Sequence, residues 1–105
     1  MVSTDPILTR FRAALAQVYG DRIERVVLYG SRARGDARSD SDYDIAVFLK
    51  DLSSRWQEVR RITDIELAVR GLTDADIHAM PFPAGSWRDP SSPLMYEIRK
   101  DGLEL

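Results

Sequence analysis

Two aspartates give the first hint of chemistry. Asp42 and Asp44 stand two apart at the mouth of an apolar run, Tyr43-Asp44-Ile45-Ala46-Val47-Phe48-Leu49. Strand side chains alternate between faces, so both carboxylates project from one face, about 6 to 7 Å apart along the chain. Two like charges that close repel, and each favours its proton unless a cation lies between them. A pair of divalent ions roughly 3.5–4 Å apart suits this spacing and keeps both acids ionised. An isolated Asp-x-Asp also occurs as a turn cap or a solvated pair, and only its surroundings separate the two.

Those surroundings carry more chemistry. The run Glu24 to Tyr29 ends at Gly30-Ser31 and turns into a polar stretch. Amides at the start of a helical turn bind phosphate oxygens, and a glycine lets the anion approach closely. The Ser31 hydroxyl adds a donor. Arg32, Arg34 and Arg38 lie between this phosphate-type turn and the acid pair. Elsewhere they would be a solvated charged face; here a polyphosphate would need their charge.

The elements that must hold these groups follow from periodicity. Thr4 or Asp5 can cap a first helix, with Pro6 in its first turn and Ile7, Leu8, Phe11, Leu15 and Val18 at helical spacing up to a stop at Gly20. Glu24 to Tyr29 and Tyr43 to Leu49 read as strands. Ser53 or Ser54 can cap a helix over 55–70, with Trp56, Val59, Ile62, Leu67 and Val69 as its buried side and Gly71 as its end. Ala75 to Phe82 reads as a third strand, closed by Pro81 and Pro83. Ala84 to Pro93 is a Pro/Ser/Gly-rich surface loop, and Leu94 to Lys100 a final short helix stopped by Gly102. The order is helix, strand, strand, helix, strand, helix, an α/β (α+β) domain with one small sheet.

Composition narrows the chemistry. The 105 residues suit one domain, 1–105, with little room for a separate substrate module, so a partner or the substrate is expected to supply part of the recognition. A net charge of −2 provides no global field for nucleic acid, which is therefore not expected as a direct partner. There is no cysteine and a single histidine, His78, which excludes thiolate zinc sites and histidine clusters. A metal here should be a hard cation on oxygen ligands, magnesium or manganese before zinc. No apolar run reaches the roughly 18 to 20 residues of a membrane span, and the opening residues are no signal peptide, so no membrane association and a cytoplasmic location are expected.

Gly30-Ser31, ten intervening residues, then Asp42-Tyr43-Asp44 resembles the signature of the minimal nucleotidyltransferases in the DNA polymerase β superfamily. The filling, Gly-Ser-Arg-Ala-Arg-Gly followed by Asp-Ser-Asp-x-Asp, is similar to small prokaryotic members. The resemblance implies a polymerase-β-like core, a small mixed sheet packed against helices. Gly30 and Ser31, with Arg32 and Arg34, would hold the phosphates of ATP or another nucleoside triphosphate. Asp42 and Asp44 would ligate two Mg²⁺ ions, with Mn²⁺ as a substitute. A third acid in this family comes from the next strand. Asp76, flanked by Ala75 and Ile77, is the favoured candidate, and Asp74, beside Thr73, is the rival that reads as a turn residue.

His78 and Met80 would share the face of Asp76, where the family more often has apolar residues. His78 either touches nucleotide or acceptor or is a histidine satisfied by a hydrogen bond. Trp87 either stacks on a base or tucks onto the domain. The implied reaction is in-line attack of an acceptor hydroxyl on the α-phosphorus of a nucleotide, releasing pyrophosphate. Chains of this size and motif resemble the antitoxins of HEPN–MNT toxin–antitoxin pairs, in which the small transferase places AMP on a tyrosine of a helical HEPN ribonuclease within a hetero-oligomer. The alternatives are an antitoxin that acts by binding alone, and a transferase acting on RNA or a small molecule with a separate helical subunit.

Overall fold

The computed structural model describes residues 5–38, 41–69 and 76–105. Helix α1 (Pro6–Tyr19) starts as its sequence dictates. Asp5 adopts extended backbone, the Ile7 N–H donates to its carboxylate at 2.8 Å, and Pro6 fills a position whose N–H needs no intrahelical acceptor. Ile7, Leu8, Phe11, Leu15 and Tyr19 are buried, whereas Val18 is half exposed. Thr4, the other candidate cap, lies outside the described residues.

After a 3₁₀ turn (Gly20–Arg22), strand β1 (Ile23–Tyr29) leads into a single helical turn, α2 (Ser31–Arg34). Strand β2 (Tyr43–Leu49) then pairs antiparallel with β1, Val27 opposite Ala46 and Leu28 opposite Ile45. Helix α3 (Arg55–Val69) crosses over to β3 (Ile77–Pro83), which pairs parallel with β2, the geometry a helical crossover permits. A 3₁₀ turn (Ser86–Arg88), helix α4 (Pro93–Asp101) and a two-residue strand β4 (Leu103–Glu104) complete the chain. The sheet order is β3-β2-β1-β4, a mixed sheet. β3 takes an edge, where Pro81 and Pro83 forgo no ladder bond. The Ala79 N–H at that edge donates to Glu66 Oε1 at 3.1 Å, so an α3 side chain satisfies the open rim.

Alternation along β2 separates two cores. Tyr43, Ile45, Val47 and Leu49 pack with α1 and α3, while Ala46 and Phe48 pack with Val27 and with Met95 and Ile98 of α4. Phe48 stacks on Phe82 and meets the Trp87 ring edge-on at 5.8 Å. Trp87 is thus tucked onto the domain, with the Arg25 guanidinium 4.3 Å over its ring.

The expected buried side of α3 is corrected by the structure. Trp56 is 76% exposed and Leu67 is 55% exposed, and the buried stripe is Glu58, Ile62, Ile65 and Val69. That stripe has ideal helical spacing, but its first member is charged. Burial of Glu58 is compensated by Arg22 at 2.7 Å, Arg61 at 3.2 Å and the Tyr19 hydroxyl at 3.2 Å. The same hydroxyl, desolvated and beside that carboxylate, has its pKa pushed up to about 12. The expected helix end at Arg70 and Gly71 lies outside the described residues.

Candidate active site

The site assembles where β1 ends and β2 and β3 begin. Tyr29 lies opposite Asp44 in the β1–β2 pairing, and Asp44 lies opposite His78 in the β2–β3 pairing. One step earlier, Tyr43 pairs with Ile77, and the Tyr43 N–H donates to the Asp76 carbonyl at 2.9 Å. Neighbours across parallel strands share a face. Asp44 and His78 therefore face one side, as do Asp42 and Asp76 just ahead of their strands. Tyr43 and Ile77, between them, are buried on the other side.

Asp42 and His78 meet directly, Oδ2 to Nε2 at 3.1 Å, with side chains 51% and 58% exposed. Asp42, Asp76 and His78 each offer one donor atom, and all three atoms lie within 4.8 Å of one another. A cluster of two carboxylates and an imidazole has the donor chemistry of a divalent-cation site. Among the described residues, this donor group brings together Asp42, Asp76 and His78. Asp44 stands beside it. The rival acid Asp74 lies outside the described residues.

Asp44 is half-buried, and desolvation raises its pKa above the ordinary value of 3.8. The His78 charge lowers it, Asp42 raises it and Arg34 lowers it, so these groups share one electrostatic neighbourhood. Gly30 forms the wall next to this carboxylate. Its φ of 78° with ψ of −157° is a conformation that only glycine tolerates well. A Cβ there would sit 2.5 Å from Asp44 Oδ2. The glycine therefore keeps backbone and carboxylate in close approach, the cradle shape a phosphate–metal site requires.

Ser31 opens α2 immediately beyond. The Gly30 carbonyl accepts from the Ala33 and Arg34 N–H groups at 3.1 Å each, and Gly35, at φ 83°, closes the turn through its N–H to the Ser31 carbonyl. The expected change from strand to helical turn at Gly30-Ser31 is therefore present. The arginines diverge. Arg34 reaches the Asp44 side and pairs with Asp36 at 3.4 Å and Asp101 of α4 at 3.9 Å. Arg32 stacks 3.9 Å over the ring of Tyr43, on the opposite face of the sheet, and its Nε donates to the Ser41 carbonyl at 2.8 Å. It ties the segment before β2 to α2. Arg38 is exposed, and its N–H donates to Ser41 Oγ at 2.8 Å.

Glu66 was not among the residues expected here. It lies half-buried on α3, with a pKa raised first by burial and also by Asp76. Its position near Asp76 depends on how α3 crosses to β3, and the helical pattern of 55–70 contains no signal for it.

Residues 14–103 match the family model described as polymerase beta, nucleotidyltransferase. The chain belongs to the polymerase β nucleotidyltransferase family. It is a nucleotidyltransferase by that membership, and its mixed sheet and helices are the polymerase-β-like fold. A Methanocaldococcus jannaschii protein provisionally named a protein adenylyltransferase is 32% identical over 75 residues, covering 71% of this nucleotidyltransferase and 73% of the relative. A structure described as a provisional minimal nucleotidyltransferase is 26% identical, with 99% of this chain and 100% of that chain covered and a TM-score of 0.59. A Sulfolobus solfataricus structure, provisionally a nucleotidyltransferase, is 19% identical over 93% of this chain and 75% of its own, with a TM-score of 0.63. A toxin–antitoxin crystal structure with AMP-PNP shares the fold, with 19% identity, coverage of 90% and 68% and a TM-score of 0.61. No helix among the described residues is long and apolar enough to cross a membrane.

Proposed function

We propose that this nucleotidyltransferase is an antitoxin that transfers AMP from ATP to a hydroxyl, a tyrosine in the first instance, of a partner HEPN-type ribonuclease toxin and thereby neutralises it. The observation that carries the reading is the convergence of Asp42, Asp44 and Asp76 on one face beside the Gly30-Ser31 turn. The relative named a protein adenylyltransferase supports a protein acceptor. The toxin–antitoxin neighbours, one with AMP-PNP and one named MntA-HpeT, support a nucleotide donor and a toxin partner.

Within this reading each residue has a task. Gly30 admits the triphosphate close to the backbone, and Ser31 donates a hydroxyl to it. Arg34 neutralises phosphate charge from the rim, and Arg32 positions the turn through Tyr43 and Ser41. Asp42, Asp44 and Asp76 would hold divalent ions, Mg²⁺ by preference for oxygen donors and Mn²⁺ as a substitute. Bound ions would offset the triphosphate charge and ease ionisation of the attacking hydroxyl. The acceptor oxygen bonds to the α-phosphorus while the bond from that phosphorus to the bridging oxygen breaks. Pyrophosphate leaves, and the hydroxyl proton passes to the carboxylate cluster. What this chain contributes is alignment and charge, not a covalent intermediate.

The test combines the protein, labelled ATP, Mg²⁺ and the product of the adjacent open reading frame. Label is expected on the partner and lost with Asp42→Ala or Asp44→Ala. Neutralisation that survives both substitutions without label would instead establish an antitoxin acting by binding alone. A parallel tRNA sample that takes label in place of the protein would establish an RNA acceptor.

A further inference from the structure

We infer that His78 is an inner-sphere nitrogen ligand of the divalent ion held by Asp42 and Asp76, and that it biases this site towards Mn²⁺ over Mg²⁺. The inference rests on the proposed use of the aspartates as metal ligands and adds to it the identity of a fourth ligating residue and the ion it selects. His78 leans over the acid end of the sheet because β3 pairs parallel with β2 in a register that sets it opposite Asp44. Its Nε2 lies 3.1 Å from Asp42 Oδ2, and Asp76 completes a set within 4.8 Å. Two donors about 2.1 Å from an octahedral ion and at right angles lie about 3 Å apart. The 3.1 Å hydrogen bond between Asp42 and His78 has the length of such an edge, so an ion could replace the shared proton by turning the two side chains without separating them.

Ligand type then sets selectivity. Mg²⁺ takes oxygen ligands and gives up water reluctantly, whereas imidazole strengthens binding of first-row transition metals. An oxygen-only cluster would leave Mg²⁺ well served; replacing one oxygen by an imidazole favours Mn²⁺. His78 is exposed, so its substitution leaves the core intact.

The measurement exploits the fact that the chain has one histidine. Untagged protein, prepared once with natural histidine and once with ¹⁵N-histidine, is loaded with Mn²⁺ and examined by electron spin-echo modulation. A directly bound nitrogen is expected to give a modulation that changes between the two preparations and disappears in His78→Ala. Binding titrations should show His78→Ala losing Mn²⁺ affinity on the order of tenfold, with Mg²⁺ affinity changed less than about twofold. His78→Asn, which supplies an oxygen donor, should bind Mg²⁺ at least as well as the unchanged protein and lack the Mn²⁺ preference. Mn²⁺ that binds, is lost with Asp42→Ala and shows no histidine nitrogen overturns the inference and leaves the aspartate site standing. Mn²⁺ binding unaffected by Asp42→Ala, or absent at millimolar concentration, overturns both.

Discussion

Gly30 and Asp44 are locked together: the Asp44 carboxylate occupies the space a side chain on residue 30 would need, its Oδ2 2.5 Å from where a Cβ would stand. The contact follows from pairing of Tyr29 with Asp44, which brings the chain just past β1 against the first part of β2. Positive φ and close approach both demand glycine here, so one residue sets the position of an acid on another strand.

Gly30→Ala therefore should do two things at once. Backbone strain costs about 1–3 kcal/mol of stability, and the displaced Asp44 loses transfer activity. Gly35→Ala is the control, since Gly35 also has positive φ but nothing within 4 Å of a new Cβ; it should cost about 1 kcal/mol and keep activity. Denaturant melts paired with the labelled-ATP assay distinguish the two effects.

Asp44 also carries a stability penalty. Burial raises its folded pKa above 3.8, with Asp42 adding to the rise. The folded protein then binds a proton more readily than the unfolded chain, so stability falls as pH rises from about 3.8 through the folded value. At neutral pH, without divalent ions, Asp44→Asn should raise the melting temperature while abolishing transfer. Thermal melts in EDTA at pH 7 check it; an unchanged or lowered melting temperature would count against an uncompensated carboxylate. For the same reason, nucleotide-dependent metal binding should weaken on acidification at a pH above that of an ordinary aspartate.

The two arginines of the turn should separate cleanly. Arg34→Ala removes charge on the Asp44 side and should raise KM for ATP about tenfold, equivalent to about 1.4 kcal/mol, with the fold unchanged. Arg32→Ala removes the stack on Tyr43 and the bond to the Ser41 carbonyl, at about 1–2 kcal/mol of stability. Steady-state kinetics alongside urea unfolding of both variants give the comparison.

Glu58 is remote from the site yet should matter to folding. Its carboxylate accepts from Tyr19, Arg22 and Arg61, and it is 5% exposed. Glu58→Ala strips three partners at once and should cost about 2–4 kcal/mol. Turnover per folded molecule should be unaltered, as unfolding curves and active-site titration together would establish.

Local chemistry made much of the site legible in sequence. Asp5 and Pro6 specify the start of α1, the apolar alternation of 43–49 specifies β2, and Gly30-Ser31 marks a strand-to-turn change that the fold contains. These depend on neighbours within a few residues, where period and backbone preference act directly. The buried side of α3 read correctly at Ile62 and Val69 but not at Trp56 and Leu67, which are apolar and exposed because the helix is oriented by what it packs on. Glu58 could be buried only because Arg22, Tyr19 and Arg61 meet it, two of them from outside the helix.

By itself, then, the sequence determined the candidate groups and their spacing: Gly30-Ser31 at the end of one strand, Asp42 and Asp44 at the start of the next, and Asp76 just ahead of a third. Their neighbours were decided only by tertiary structure. The parallel register of β2 and β3 brings His78 to Asp42, α3 brings Glu66 near Asp76, and Arg32 turns to Tyr43 while Arg34 turns to Asp101 of α4. Spacing along a strand or turn is a covalent property of the chain, whereas register across strands and the side to which an arginine folds depend on packing between segments far apart in sequence.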